Sequence, residues 1–397
     1  MSKIKLTTKK LIAAISSVSA NVQKKALNPI NGFVLMTIEN GRFGATTSND
    51  RCLMSQFFTV EEDTEFSVCV HCTILLNTIK LLKSEFIELE DKTRANGSRY
   101  LFIKSGRGKY KLDITSSTEF QKLGFGETID TLTVNGDGIF EKIKVASGCV
   151  DGNDVRPAFT AITIKSEGSE GSVTGFSPAY GTEQSMSVVS GQIRESFIPK
   201  DVCNLLGMNP MSGETIISLS EKRIKINNGA FEMIGNLINT DPLPLDSLWS
   251  QQTEEVYVVN REDLLDSVTR VLNFTGMEDK MIVLDFSGKD LRVVADDANN
   301  GNSGEEMVNI ISSNCGDLVV GIDGNNLSAC LRSIHTPEVV INARADNKPI
   351  FIKDSSIGNS TQKWMIAPVK IDQAIAYRKD KDEERKAKQA SKGTIAK

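Results

Sequence analysis

The stretch Val259–Leu272, reading VNREDLLDSVTRVL, decides how the chain is understood. Its apolar residues Leu264, Leu265, Val268, Val271 and Leu272 fall at the i, i+3/i+4, i+7 spacing of a helix that buries one face. Asn260 stands where an N-cap belongs, and Asp263 three residues on gives a variant of the capping box. The same stripe occurs twice upstream. Leu11, Ile12, Ile15 and Val18 follow Thr7 or Thr8, and Ile139, Phe140 and Ile143 follow Asn135. Asn135 and Asn260 lie 125 positions apart, which marks a repeat rather than a coincidence of helices.

A second helix is expected after each of these, over Thr73–Leu82, Pro199–Leu206 and Asn325–Ile334. Each is followed by a glutamate that opens a strand, at Glu85, Glu214 and Glu338. A further alternating strand comes next, Tyr100–Ile103, Arg223–Ile226 and Pro349–Ile352. The remainder is short alternating runs punctuated by Gly, Asn and Asp, such as Phe33–Ile38, Gly41–Ala45, Ala161–Lys165 and Met281–Phe286. The pattern predicts an α+β chain of three tandem units, each with two helices packed on antiparallel sheets, over residues 1–129, 130–254 and 255–371. Residues 372–397 are charged, lack an apolar stripe and are expected to form a disordered tail.

The 397 residues carry 46 Lys+Arg against 51 Asp+Glu, a net charge of −5, so an evenly basic nucleic-acid binder is excluded. Only His71 and His335 are available for histidine chemistry, which argues against His-based metal sites and Ser-His or Cys-His catalysis. No apolar run is long enough for a membrane helix, and the N-terminus lacks a secretory h-region. Seven scattered cysteines read as reduced thiols, and a cytoplasmic location is expected. Gly106-Arg107-Gly108-Lys109 has the wrong spacing for a phosphate loop, and Asp296–Gly301 fails as a calcium loop because Met307 stands where the bidentate Glu is required. Cys69-Val70-His71-Cys72 is half a zinc spacing without a second pair and reads as buried thiols joining a strand to a helix. No cofactor, metal or catalytic residue is indicated, and the chain is expected not to be an enzyme.

In the order and spacing of its segments the chain resembles the bacterial sliding clamp, the beta subunit of the replicative DNA polymerase III, over residues 1–371. The matching segments are Leu27-Asn28-Pro29-Ile30, Ser105-Gly106-Arg107, Asp154-Val155-Arg156, Val259–Leu265 and Ala367-Pro368-Val369-Lys370-Ile371. The resemblance implies a DNA-clamp fold that closes as a head-to-tail homodimer into a six-domain ring around double-stranded DNA. It also implies partners: a replicative DNA polymerase, the clamp loader and other replication and repair proteins.

Inward cations on the helices would hold phosphates without reading bases. Lys9, Lys10, Lys24, Lys25, Lys80 and Lys83 supply them in the first unit, Lys142, Lys144 and Lys200 in the second, and Arg261, Arg270 and Arg332 in the third, where Glu262, Asp263 and Asp266 oppose them. By resemblance, Lys25 and Asn153 fall where the family contacts DNA, and Tyr110 and Leu112 face the region of Leu272 and Phe274 at the dimer interface. A peptide cleft between the second and third units would be lined by Arg156, Phe159, Ala179, Tyr180, Thr182, Pro244, Leu248 and Trp249, completed by Asn326, Met365, Ala367, Pro368 and Val369. Here Ser177–Thr182 and Ala367 depart from the family's usual residues, so a different peptide preference is expected. Two rival readings remain: a scaffold with the same fold and cleft that closes no ring, and an enzyme with its site between repeats.

Overall fold

The structure is a computed structural model that describes residues 3–22, 28–61, 64–120, 122–209, 212–276, 280–297, 301–355 and 361–369. Among them are seven helices: α1 (Thr8–Ser19), α2 (Cys72–Lys80), α3 (Gly136–Gly148), α4 (Lys200–Gly207), α5 (Leu245–Trp249), α6 (Arg261–Val271) and α7 (Gly324–Ser333). Six form three packed pairs, α1 with α2, α3 with α4 and α6 with α7, which is the pairing the repeat predicts. The charged tail lies outside the described residues. No described helix is long and apolar enough to cross a membrane.

The apolar stripes make the helix contacts. Leu11, Ala14, Ile15 and Val18 of α1 are buried together with Leu75, Leu76 and Ile79 of α2. Each such side chain contributes about 1.5–3 kcal/mol on leaving water. Leu264, Val268 and Val271 do the same on α6. The Asn260 carboxamide oxygen caps that helix, accepting from the Glu262 and Asp263 amides at 2.9 and 3.1 Å. Thr7 precedes α1 without a side-chain cap, and the Thr8 hydroxyl instead donates to the Ser84 carbonyl at 2.7 Å.

The chain falls into two compact units, one of residues 1–173 with 186–241, the other of residues 174–185 with 242–397. In the first, Lys3–Thr7, Phe86–Thr93, Arg99–Ser105 and Gly108–Asp113 form a four-stranded antiparallel sheet in that order. Asp130–Asn135, Glu214–Leu219, Arg223–Asn227 and Phe231–Asn236 repeat it. In the second unit Tyr257–Asn260, Glu338–Asn342, Ile350–Asp354 and Gln362–Ile366 give the third copy. Leu6 opposite Ile87, Val134 opposite Thr215 and Val259 opposite Val339 hold the same place in each copy, and all six are buried.

Cys69 and Cys72 are fully buried, and burial pushes both thiols up to about 12. His71 between them caps α2, its Nδ1 accepting from the Ile74 amide. This is a structural turn, and no group of metal-binding side chains occurs among the described residues.

Candidate functional site

The free edges of the repeated sheets are the first functional feature. The last strand of the second copy, Phe231–Asn236, pairs antiparallel with Cys52–Thr59, Met233 opposite Met54. In the second unit the last strand of the third copy, Gln362–Ile366, pairs in the same way with Tyr180–Gln184, Thr182 opposite Trp364. Two strands occupy the same places in the repeat yet lack an outer partner among the described residues. One is Gly108–Asp113, which pairs only with Arg99–Ser105. The other is the first part of Asn302–Ser313, which pairs on one side with Asp290–Asp297.

An unpaired strand edge is a template for another chain unless something blunts it. Tyr110 and Met307 stand exposed on these two edges, and Leu112 is half-buried. The Phe274 ring lies so close over Gly304 that a Cβ there would sit 2.6 Å from it. Leu272 is packed equally tightly on Gly324. Glycine at 304 therefore lets an exposed aromatic pack directly against the open strand.

The helix cations divide unevenly. Lys9, Lys10, Lys80 and Lys83 are exposed and have no carboxylate partner among the described residues, Lys10 lying 5.9 Å from the Phe58 ring centre. Lys24 and Lys25 lie outside the described residues. Lys144 is exposed 3.9 Å from Glu141. Lys200 is half-buried and its ammonium donates to the Val150 carbonyl. It lines an open depression of about 450 Å³ together with exposed Asn153 and with Arg51, a residue the sequence does not single out.

In the third copy two of the three expected inward cations are tied down, while Arg332 is exposed and has no carboxylate partner among the described residues. Arg261, only 15% exposed, donates to the Thr336 and Leu331 carbonyls and pairs with Glu262. Arg270 forms a two-pronged bond to Glu306, 2.6 Å at each oxygen. Glu262, Asp263 and Asp266 remain at the surface of α6, so that helix presents net negative charge.

Most of the expected peptide-cleft residues come together in the second unit. The Ala367 amide donates to the Ala179 carbonyl at 2.8 Å, Pro368 bridges to Ile322, and the Val369 amide donates to the Gly321 carbonyl at 2.9 Å. These contacts line up Ala179, Tyr180, Ala367, Pro368 and Val369, all at least partly accessible. The Trp249 ring at the end of α5 lies 6.0 Å from Phe351, whose strand neighbour is Met365. Leu248 and Asn326 are half-buried and Pro244 is exposed.

Two expected lining residues stand beneath the surface rather than on it. Thr182 is fully buried with its hydroxyl donated to the Lys363 carbonyl, and Met365 is 3% exposed. The indole N–H groups of Trp249 and Trp364 are buried with no acceptor among the described residues. Arg156 and Phe159 lie in the first unit. There the guanidinium stacks 4.3 Å over the Phe159 ring and grips Asp154 at 2.8 Å, holding that carboxyl down at about 2.

Comparison with known proteins agrees with this geometry. Residues 2–124 match the family model of the DNA polymerase III beta subunit, N-terminal domain. No curated protein sequence matches the chain. The sliding clamp of Pseudomonas aeruginosa, solved bound to griselimycin, superposes with a TM-score of 0.83 at 17% identity, covering 93% of this chain and 99% of that one. The Bacillus subtilis clamp gives 0.84 at 15% identity with the same two coverages. The fold is that of the bacterial DNA sliding clamps.

Proposed function

We propose, for a chain with a beta-subunit N-terminal domain over residues 2–124 and the clamp fold around it, that it works as a replicative DNA sliding clamp. Three repeats, 1–129, 130–254 and 255–371, make up one protomer, and two protomers join head to tail in a closed ring around duplex DNA. The observation that carries this reading is the pair of unpartnered strands. Gly108–Asp113 and the first part of Asn302–Ser313 are the repeat counterparts of strands that pair inside the chain, so the open edge of the first repeat is complementary to that of the third repeat of a copy. Such a contact must either close into a ring or run on as a filament. Tyr110 and Leu112 would meet Leu272 and Phe274 there.

Within the ring, exposed Lys9, Lys10, Lys80 and Lys83, with Lys24, Lys25, Lys200 and Asn153, contact phosphates and leave the bases unread. The clamp performs no chemistry; its role is to keep a polymerase on its template. Short peptides of the polymerase, the loader and other replication and repair proteins dock on the second unit at Tyr180, Trp249, Ala367, Pro368 and Val369, with Trp249 as the aromatic anchor.

Retention on nicked circular DNA tests the proposal. After loading, the protein stays on the circle and is lost when the circle is linearised. Equal retention on circle and linear form refutes encirclement, and a monomer mass in light scattering refutes the ring.

A further inference from the structure

A turn of the first unit presents an arginine to the depression that also holds Asn153 and Lys200. The turn runs from Asn49 to Arg51, and hydrogen bonds fix it from both sides. The Asn49 amide group donates to the Asn21 carbonyl at 3.0 Å and to the Asn21 side-chain oxygen at 2.8 Å. The Asn49 side-chain oxygen accepts from the Arg51 and Cys52 amides at 2.9 and 2.8 Å. From the other side the Asn236 amide donates to the Arg51 carbonyl at 3.0 Å and its side chain to the Asp50 carbonyl at 3.1 Å.

The Arg51 side chain rises from this frame, 66% exposed. It spends one N–H on the Asp201 carboxylate, 2.7 Å away at the start of α4. Its other guanidinium N–H groups have no acceptor among the described residues, and an arginine fork is suited to hold a second oxyanion beside the first. An exposed ion pair of this kind adds little to stability, and the turn is already fixed without it. The pair therefore has little value as a brace. Lys200, Asn153, Asn204 and Asn236 line the same depression and supply further polar groups.

We infer that Arg51 is a duplex-phosphate contact, shared with Asn153 and Lys200, and that Asp201 is its built-in counter-ion. The inference rests on the clamp reading. Asp201 orients the guanidinium and partly screens it, so the phosphate is held loosely and exchanged as DNA passes, which suits a device that must slide.

The test is binding of the full chain to a short fluorescent duplex, read by anisotropy over a sodium chloride series. Arg51→Ala lowers the slope of log affinity against log salt by about 0.9, the share of one phosphate contact, while Arg51→Lys keeps the slope. Asp201→Asn tightens binding several-fold in the parent chain and has little effect in the Arg51→Ala background. A parental slope in Arg51→Ala overturns the assignment, and an equal effect of Asp201→Asn in both backgrounds overturns the counter-ion role. If the parent chain shows no salt-dependent duplex binding, the clamp reading falls and this one with it. Melting temperatures within a degree or so of the parent show that the variants are folded.

Discussion

Asn21→Ala should loosen the turn that carries Arg51 without touching either Arg51 or DNA. Asn21 is 3% exposed, and its side-chain amide donates to the Cys52 carbonyl at 3.0 Å and the Thr47 carbonyl at 3.3 Å. Its side-chain oxygen accepts from Asn49 at 2.8 Å. Removing the carboxamide takes one bond from the Cys52 carbonyl, which keeps that of the Asn49 backbone amide, and leaves one Asn49 side-chain N–H without its acceptor. At about 1–3 kcal/mol for the orphaned group, opening of the turn becomes easier by about 2 kcal/mol, or roughly 30-fold.

The reporter is amide hydrogen exchange of the peptide spanning the turn, where the Asn49 amide bonds to the Cys52 carbonyl and the Arg51 and Cys52 amides bond to Asn49. Exchange there should rise by roughly 30-fold, while Phe33–Glu39, in the middle of its sheet, stays as before. Asn21→Asp keeps the accepting oxygens and loses the donations, so its effect falls between. A change below about 5-fold in Asn21→Ala would refute the idea that this buried amide holds the turn. It would also weaken the case that Arg51 is placed rather than merely exposed.

Two other outcomes are expected. Phe274→Ala removes the ring that lies on Gly304 at the open edge, and the dimer dissociation constant measured by sedimentation should rise about 30-fold, near 2 kcal/mol; an unchanged value would place the interface elsewhere. Glu306 has its carboxyl lowered below the usual 4.5, chiefly by the hydrogen bond from Arg270. Its stabilisation is complete above the unfolded carboxyl pKa and is lost as pH falls through the lower folded value. Glu306→Gln should therefore flatten the acid side of the melting-temperature profile and leave its alkaline side unmoved; an unchanged acid side would show that the pair does not matter.

Much of the fold can be read from local pattern because each helix carries its own signal. The stripe of α6 and its Asn260 cap are visible in twelve consecutive residues and reappear intact in three dimensions. The short helix α5 gives no such signal, since Leu245–Trp249 spans little more than one turn behind Pro242 and Pro244. The strand junctions are invisible locally for another reason. Met233 opposite Met54 and Thr182 opposite Trp364 are pairs about 180 positions apart, and nothing near either residue names its partner. Arg51 escapes notice in the same way, because Asp201 stands 150 positions away. Tyr180 and Ala367 could be placed only through resemblance; their proximity rests on the Ala367–Ala179 hydrogen bond.

Counting cations along helices misleads most in the third repeat, and the correction bears on how a clamp would hold DNA. Arg261 and Arg270 count as inward charge in the sequence, yet one is committed to backbone carbonyls and the other to Glu306. Arg270, held by Glu306 at two of its N–H groups, has less left for a phosphate than Arg51 with its single bond to Asp201, and would add little to affinity. In the ring proposed above, the exposed lysines of α1 and α2, without carboxylate partners among the described residues, would contribute, whereas Glu262, Asp263 and Asp266 on α6 would repel. In the proposed ring the first repeat would then attract phosphates more strongly than the third. DNA held in this manner would meet unequal attraction and could shift without breaking every contact at once. On that reading uneven charge would favour movement along the duplex, which a uniformly basic lining would slow.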